Sequence, residues 1–241
     1  MSTRRGFKVL EVLFEDKNLI ACVKPVGVAS QGSESGRLDM TELIRRHLAD
    51  NGGKGEPYVV HRLDSGVGGV MVYAKNSKTA AHLSRLISES SACDSTAEKS
   101  GFAKEYLAVT LGVPEKPEGY LEDLLYHDRQ RNKTFVVDRK RNGVKRALLW
   151  YEVLDTCEFE GKKLSLVRVK LFTGRTHQVR VQFASRTTPL FADARYGAKG
   201  TSGDIVLWSH KITVSFPDGS TKTFEKSPPA ALPWSLFENQ F

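Results

Sequence analysis

The stretch His61-Arg62-Leu63-Asp64-Ser65-Gly66-Val67-Gly68-Gly69 runs straight into Val70-Met71-Val72-Tyr73-Ala74, and the rest of the chain is read outward from it. A carboxylate sits beside an arginine, three glycines follow, and an apolar run closes the segment. Gly66, Gly68 and Gly69 allow a sharp turn or a close approach to a bulky ligand. The apolar run reads as a buried strand. Asp64 is therefore expected on a loop entering a core strand, where a rigid scaffold holds a reactive side chain at a cleft. A plainer reading fits the same residues: a loop aspartate paired with Arg62, followed by turn glycines.

Composition narrows the choice. The chain has 241 residues, with 36 Lys and Arg against 28 Asp and Glu, a net charge of +8 and a pI near 9.4. An excess of that size points to a polyanionic partner, of which nucleic acid is the commonest. The three cysteines, Cys22, Cys93 and Cys157, are far apart and form no CxxC pair. They suggest neither a zinc site nor a disulfide framework, and they fit a reducing compartment. Arg4 and Arg5 are not followed by an apolar run, and no segment approaches the roughly 18 apolar residues of a membrane span. The expectation is a cytoplasmic, non-membrane protein, taken as a monomer.

Outward from Asp64, the chain reads as strands at 7–14 and 19–23 joined by an Asp16-Lys17-Asn18 turn. A helix follows at 40–49, with Asp39 and Glu42 at capping-box spacing. After the central motif a second helix, capped by Asn76 or Ser77, carries Ala80, Leu83, Leu86 and Ile87 on one face. Residues 88–100 are Ser-rich and read as an exposed loop. Strands are expected at 104–111, 134–137, 147–154, 164–171, 205–208 and 211–216, and residues 120–126 as a short strand or helix. A helix is expected at 176–185. No repeat or Pro/Gly-rich linker divides the chain. The simplest architecture is one α+β domain built on a large, mostly antiparallel sheet, spanning 7–241 behind a tail at 1–6.

Two further stretches carry chemistry. Thr173-Gly174-Arg175-Thr176-His177-Gln178-Val179-Arg180 follows a strand and opens a helix. Helical spacing would place His177, Arg180 and Ala184 on one face, from which an arginine could reach a carboxylate across a cleft. The same residues could instead bind an anion or simply be solvated. In Lys104-Glu105-Tyr106-Leu107-Ala108, the tyrosine alone would read as core filling. Residues 128–146 hold eight Lys and Arg against two Asp, a net charge of +6. Phe135 to Val137 in their middle suggest a hairpin with charged arms, including Arg139, Lys140 and Arg141.

Taken together, the three motifs, in this order and spacing, resemble those of the RluA-type pseudouridine synthases. The resemblance runs from about residue 19 to about 216. Phe191-Ala192-Asp193-Ala194-Arg195-Tyr196-Gly197 is similar to a further stretch of that family. The resemblance implies a single catalytic domain with a central cleft and an enzyme that isomerises uridine in ribosomal or transfer RNA without cofactor or metal. It implies Asp64 as the catalytic aspartate, Arg180 as its ion-pair partner, and Tyr106 as the residue that stacks on the base and handles the C5 proton. Arg62 would enter the RNA where the base leaves, and His61, Arg175, His177, Arg139, Lys140 and Arg141 would contact RNA.

Three departures from the family pattern stand out. No S4-like RNA-binding domain precedes the catalytic-type sequence, the Ser-rich 88–100 stretch replaces a shorter connection, and Ser65 to Gly69 differ from the usual end of the first motif. Other readings find little to stand on. There is no Gly-x-Ser-x-Gly elbow, the six histidines show no HExxH spacing, and the glycines after Asp64 lack a dinucleotide fingerprint. An inactive RNA-binding protein of the same fold, or a basic structural module, remain as alternatives.

Overall fold

In the computed structural model, which describes residues 10–32, 38–53, 55–92 and 101–240, the strand after Asp64 is buried along its whole length. This strand, β4 (Gly68–Ala74), is the pivot of an 11-stranded sheet. The other strands are β1 (Glu11–Glu15), β2 (Leu19–Lys24), β3 (Tyr58–Val59), β5 (Phe102–Leu111), β6 (Glu118–Asp128), β7 (Lys133–Val137), β8 (Val144–Phe159), β9 (Lys162–Leu171), β10 (Leu207–Ser215) and β11 (Thr221–Glu225). Their order is β1-β2-β4-β10-β5-β9-β8-β6-β7, with β3 on β4 and β11 on β10. Every pairing is antiparallel except β4 with β10.

That parallel contact explains the glycines of the central motif. Gly68 lies opposite Trp208 and Gly69 opposite Ser209. A Cβ on Gly68 would run into the Trp208 ring, and one on Gly69, at φ +117°, would run into the Ser209 backbone. The close approach is to a neighbouring strand rather than to a ligand. β4 then leaves β10: Tyr73 and Ala74 pair with β3, and the N–H of Val72 goes to Nε2 of His61 at 3.0 Å. The sheet forks here.

Strand alternation divides the apolar residues between two faces. Ile20, Cys22, Met71, Tyr73, Tyr106, Ala108, Tyr151 and Val169 form the main core. Covering them are Met40, Leu43, Ile44 and Leu48 of helix α1 (Met40–Asp50) and Val179 and Phe183 of helix α3 (Gln178–Ala184). Leu19, Ala21, Val70 and Val72 face the other way, under Leu83 of helix α2 (Ser77–Ala92). A C-terminal 3-10 segment seats Trp234 and Phe237 on Leu107, Val109, Leu164 and Leu166. Each fully buried aliphatic side chain contributes roughly 1.5–3 kcal/mol, so this two-faced burial is what holds the sheet.

Local rules account for the ends. The Asp39 carboxylate caps α1 by accepting the Glu42 N–H at 3.0 Å, and Asn76 caps α2 by accepting the Thr79 N–H at 2.9 Å. Asp16 Oδ1 accepts from Asn18 and Leu19 and closes the β1–β2 turn.

Several expectations need correction. α2 continues to Ala92 rather than giving way to loop at 88, while 93–100 lie outside the described residues, as do 1–9 and Cys93. Residues 120–126 belong to an 11-residue strand. The two strands expected at 205–216 are one, β10, with a register shift between Ser209 and Lys211. β11 follows the Pro217-Asp218-Gly219 turn and was not foreseen. Among the described residues no helix is long and apolar enough to cross a membrane.

Candidate active site

Asp64 is held by its own loop before it is held by any partner. Lys24 is fully buried and gives its ammonium to the carbonyls of Val28 (2.5 Å), Ser65 (3.0 Å) and Pro25 (3.1 Å). Ser30 Oγ donates to the Leu63 carbonyl and accepts the Leu63 N–H. The Val67 N–H closes a turn on the Asp64 carbonyl at 3.0 Å. The carboxylate, 28% exposed, points out of this braced turn.

The partner comes from α3. Arg180 Nη1 donates to Asp64 Oδ2 at 3.0 Å. The rest of its guanidinium is committed: Nε and Nη2 donate to the two oxygens of Asp193 at 2.7 and 2.9 Å. Asp193 is fully buried and Arg180 nearly so. The Tyr196 ring lies 5.1 Å from the guanidinium carbon. Burial disfavours the Arg180 cation, but the two carboxylates outweigh it and raise its pKa above the ordinary value. A planar fork clamped on one edge leaves a single N–H aimed at Asp64, so the pair has one geometry.

The turn that delivers Arg180 is closed by Gln178, whose Oε1 accepts from Thr173 Oγ1 (2.8 Å) and the Arg175 N–H (3.1 Å). His177 precedes α3 in a left-handed conformation, φ 55°, rather than lying on the helix as its spacing suggested. That conformation sends its ring back into the cleft. Nε2 stands 3.5 Å from Asp64 Oδ2, and Nδ1 stands 3.0 Å from the Tyr196 hydroxyl. Burial, against the pull of Asp64, lowers the His177 pKa to about 4, so the ring is neutral at pH 7. The Thr134 N–H from β7 donates to the same Tyr196 oxygen at 2.8 Å.

Tyr106 is buried on β5, opposite Ser209 of β10. Burial, with the Asp64 charge added, pushes its phenol above the ordinary range. Ser209, its cross-strand neighbour, commits its own hydrogen to the Val70 carbonyl at 2.9 Å.

The remaining sequence candidates separate. Arg62 is exposed beside Asp64. Arg175 is half-buried, with Nε donating to the Arg146 carbonyl at 2.9 Å. Arg139, Lys140 and Arg141 are exposed on the β7–β8 connection, and Arg141 lies over the Tyr126 ring at 4.8 Å. His61 is buried in the fork, edge-on to Phe102, rather than exposed beside Arg62. Burial lowers its pKa to about 3. Sequence reasoning quoted Asp193 and Tyr196 only as part of a similar stretch and gave them no role. Ser209 and Gln178 carried no signal, since each is polar in an otherwise apolar or helical run.

A family model described as RNA pseudouridylate synthase matches residues 18–185. An uncharacterized RNA pseudouridine synthase of Aquifex aeolicus is 34% identical over 197 residues, covering 80% of this chain and 58% of its own length. A protein named ribosomal large subunit pseudouridine synthase D, of Borreliella burgdorferi, is 29% identical over 224 residues, 89% of this chain and 64% of the relative. The chain thus spans less than two thirds of the curated relatives it matches. The solved structure of human RNA pseudouridylate synthase domain containing 1 superposes with a TM-score of 0.75 at 18% identity, covering 96% of this chain and 89% of that one. Domain containing 4 of the same human series gives 0.71 at 20% identity, over 91% and 88% of the two chains. At such identities the structures share the fold. With a family model matching well over half its length, the chain belongs to the RNA pseudouridylate synthase family.

Proposed function

We propose that this protein isomerises uridine in RNA to pseudouridine, with residues 7–241 as the catalytic unit. The observation that carries the reading is the Asp64–Arg180–Asp193 array. A partly exposed carboxylate is paired with a buried arginine that cannot turn away. An inactive RNA-binding protein has no need of such an arrangement.

The target base is stacked in RNA and must leave the stack at a cost of a few kcal/mol. Arg62, exposed beside Asp64, fills the vacated space and offsets part of that cost. Asp64 then acts at the ribose, either by attacking C1′ or by removing a C2′ proton. The N1–C1′ bond breaks, the base turns, and a C5–C1′ bond forms. The C5 proton is lost and N1 gains one, so the reaction is a net isomerisation. Tyr106 stacks on the base. Its hydroxyl, beside the base, takes part in the loss of the C5 proton, which passes on to solvent. His177 and Arg175 meet the RNA at the cleft, and Arg139, Lys140 and Arg141 meet its phosphates farther out. The substrate is a structured ribosomal or transfer RNA, met in the cytoplasm by a monomer; the cysteines and the basic charge support this.

Pseudouridine maps of total RNA, with and without the protein, test the reading. One or a few uridines should lose modification when the gene is deleted and regain it when the wild-type protein is restored. Identical maps would overturn it.

A further inference from the structure

Three groups with unused hydrogen-bond donors lie near where β4 parts from β10. Lys104 and Phe102 alternate onto the same side of β5 as Tyr106, two residues apart along the strand. Lys104 is only 9% exposed, yet its ammonium has no carboxylate within salt-bridge distance and no hydrogen bond among the described residues. Arg175 gives Nε to the Arg146 carbonyl, and the rest of its guanidinium has no carboxylate partner among the described residues either. His61 packs against Phe102. Its Nε2 accepts the Val72 N–H, so in the neutral ring Nδ1 must carry the proton, and that buried N–H is unpaired.

The three are neighbours: Arg175 follows Gly174, whose Cβ position is 3.0 Å from Lys104 Nζ, and His61 packs on Phe102, two residues from Lys104 along β5. A buried cation without a counter-charge is costly, and an orphan buried N–H adds to the cost. A native fold retains such a cluster when an acceptor arrives from outside. Gly174 is exposed, and a Cβ on it would come 3.0 Å from Lys104 Nζ, so the ammonium lies against the 173–176 loop. Burial, and after it Arg175, lower the Lys104 pKa to about 8, so an anion that reached it would be bound by the cation.

We infer that Lys104, with Arg175 and the His61 Nδ1–H, forms a seat for one backbone phosphate of the RNA next to the flipped uridine. The seat adjoins Tyr106, one side-chain repeat along β5, so the phosphate belongs to the target nucleotide or its immediate neighbour. This rests on the proposed RNA reading but not on catalysis. Its chemistry is that of any tetrahedral oxyanion, so free phosphate is the competing source.

The test uses the full chain and a uridine-containing RNA hairpin, whether or not it is turned over. Lys104→Met removes the charge and nearly keeps the length; Lys104→Arg keeps the charge. The slope of log affinity against log salt should fall by about 0.7–0.9 in Lys104→Met and stay at the wild-type value in Lys104→Arg. Replacing single phosphates by neutral methylphosphonates should cost the wild type on the order of tenfold in affinity at one position beside the uridine and cost Lys104→Met nothing there. Equal slopes and equal methylphosphonate profiles in wild type and Lys104→Met would overturn the seat. So would an equal loss of slope in Lys104→Arg, which would make the lysine a packing residue. Stabilisation of wild type but not Lys104→Met by inorganic phosphate, with RNA slopes unchanged, would give the site to a free anion and also overturn it. Product formation by wild type on the same hairpin reports separately on the catalytic reading.

Discussion

The cleft and the 128–146 stretch are both rich in arginine, and they use it in opposite ways. In the cleft Arg180 is buried and has every face of its guanidinium assigned: two bonds to Asp193, one to Asp64 and a ring over it. On the β7–β8 connection Arg139, Lys140 and Arg141 are exposed and have no carboxylate partner among the described residues. A paired, desolvated cation fixes geometry and is nearly indifferent to salt. A solvated, unpaired one has little to do with folding, exchanges counterions, and is felt by a polyanion. The same residue type thus serves position in one region and attraction in the other.

The contrast breaks most visibly at Arg180. Arg180→Met leaves Asp193 charged and fully buried without a partner. Removing one member of such a pair costs about 3–5 kcal/mol, so urea melts should show a loss of that size along with the loss of product. Wild-type stability would mean the array is not the brace described. Next in size is Tyr106→Phe. It keeps the ring and removes the hydroxyl, so RNA binding should survive while product formation falls by roughly 10²–10⁴-fold. Tyr106→Leu should in addition weaken binding by about 1–3 kcal/mol. A Tyr106→Phe enzyme turning over at the wild-type rate would leave the phenol as packing.

The exposed cations predict the reverse pattern. Changing Arg139, Lys140 and Arg141 to Glu should leave stability within about 0.5 kcal/mol of wild type. The salt slope of RNA affinity should drop by about 0.7–0.9 for each phosphate that is no longer neutralised. An unchanged slope would place this stretch off the RNA path.

Acid should separate the regions once more, and more gently. His61 and His177 have pKa values lowered by burial to about 3 and about 4 from an ordinary value near 6.5. Between those values the unfolded chain binds more protons than the folded one, so stability rises with pH there. Their full contribution is present above about pH 6.5 and is lost as pH falls toward 4. His177→Gln should flatten that part of a stability–pH curve, whereas the triple Glu variant should keep its slope through His61 and His177.

How much of this was legible in the sequence follows from how local each cause is. The strand after Asp64 and the caps of Asp39 and Asn76 depend on neighbouring residues, and they were readable. The two motifs that meet as Asp64 and Arg180 lie 116 residues apart. Neither alone predicts the contact, and the order of motifs in the family resemblance supplied it. The burial of His61 was not legible because its neighbours are functional in appearance. The fork that buries it depends on where β4 leaves β10, a tertiary fact. His177 was placed on a helix because spacing cannot reveal a left-handed residue one step before the first turn. Lys104 carried no sign of burial, since a lysine starting a strand usually reaches solvent.

The central claim is that the Asp64 carboxylate does the chemistry while Arg180 and Asp193 hold it in place. Asp64→Asn keeps the shape, removes the charge and leaves the buried Arg180–Asp193 pair intact. Single-turnover conversion of uridine to pseudouridine in a mapped RNA, run alongside a melting curve and a binding isotherm, measures this directly. The account predicts a folded protein that binds RNA as the wild type does and forms no pseudouridine. A folded Asp64→Asn protein converting uridine near the wild-type rate would contradict it.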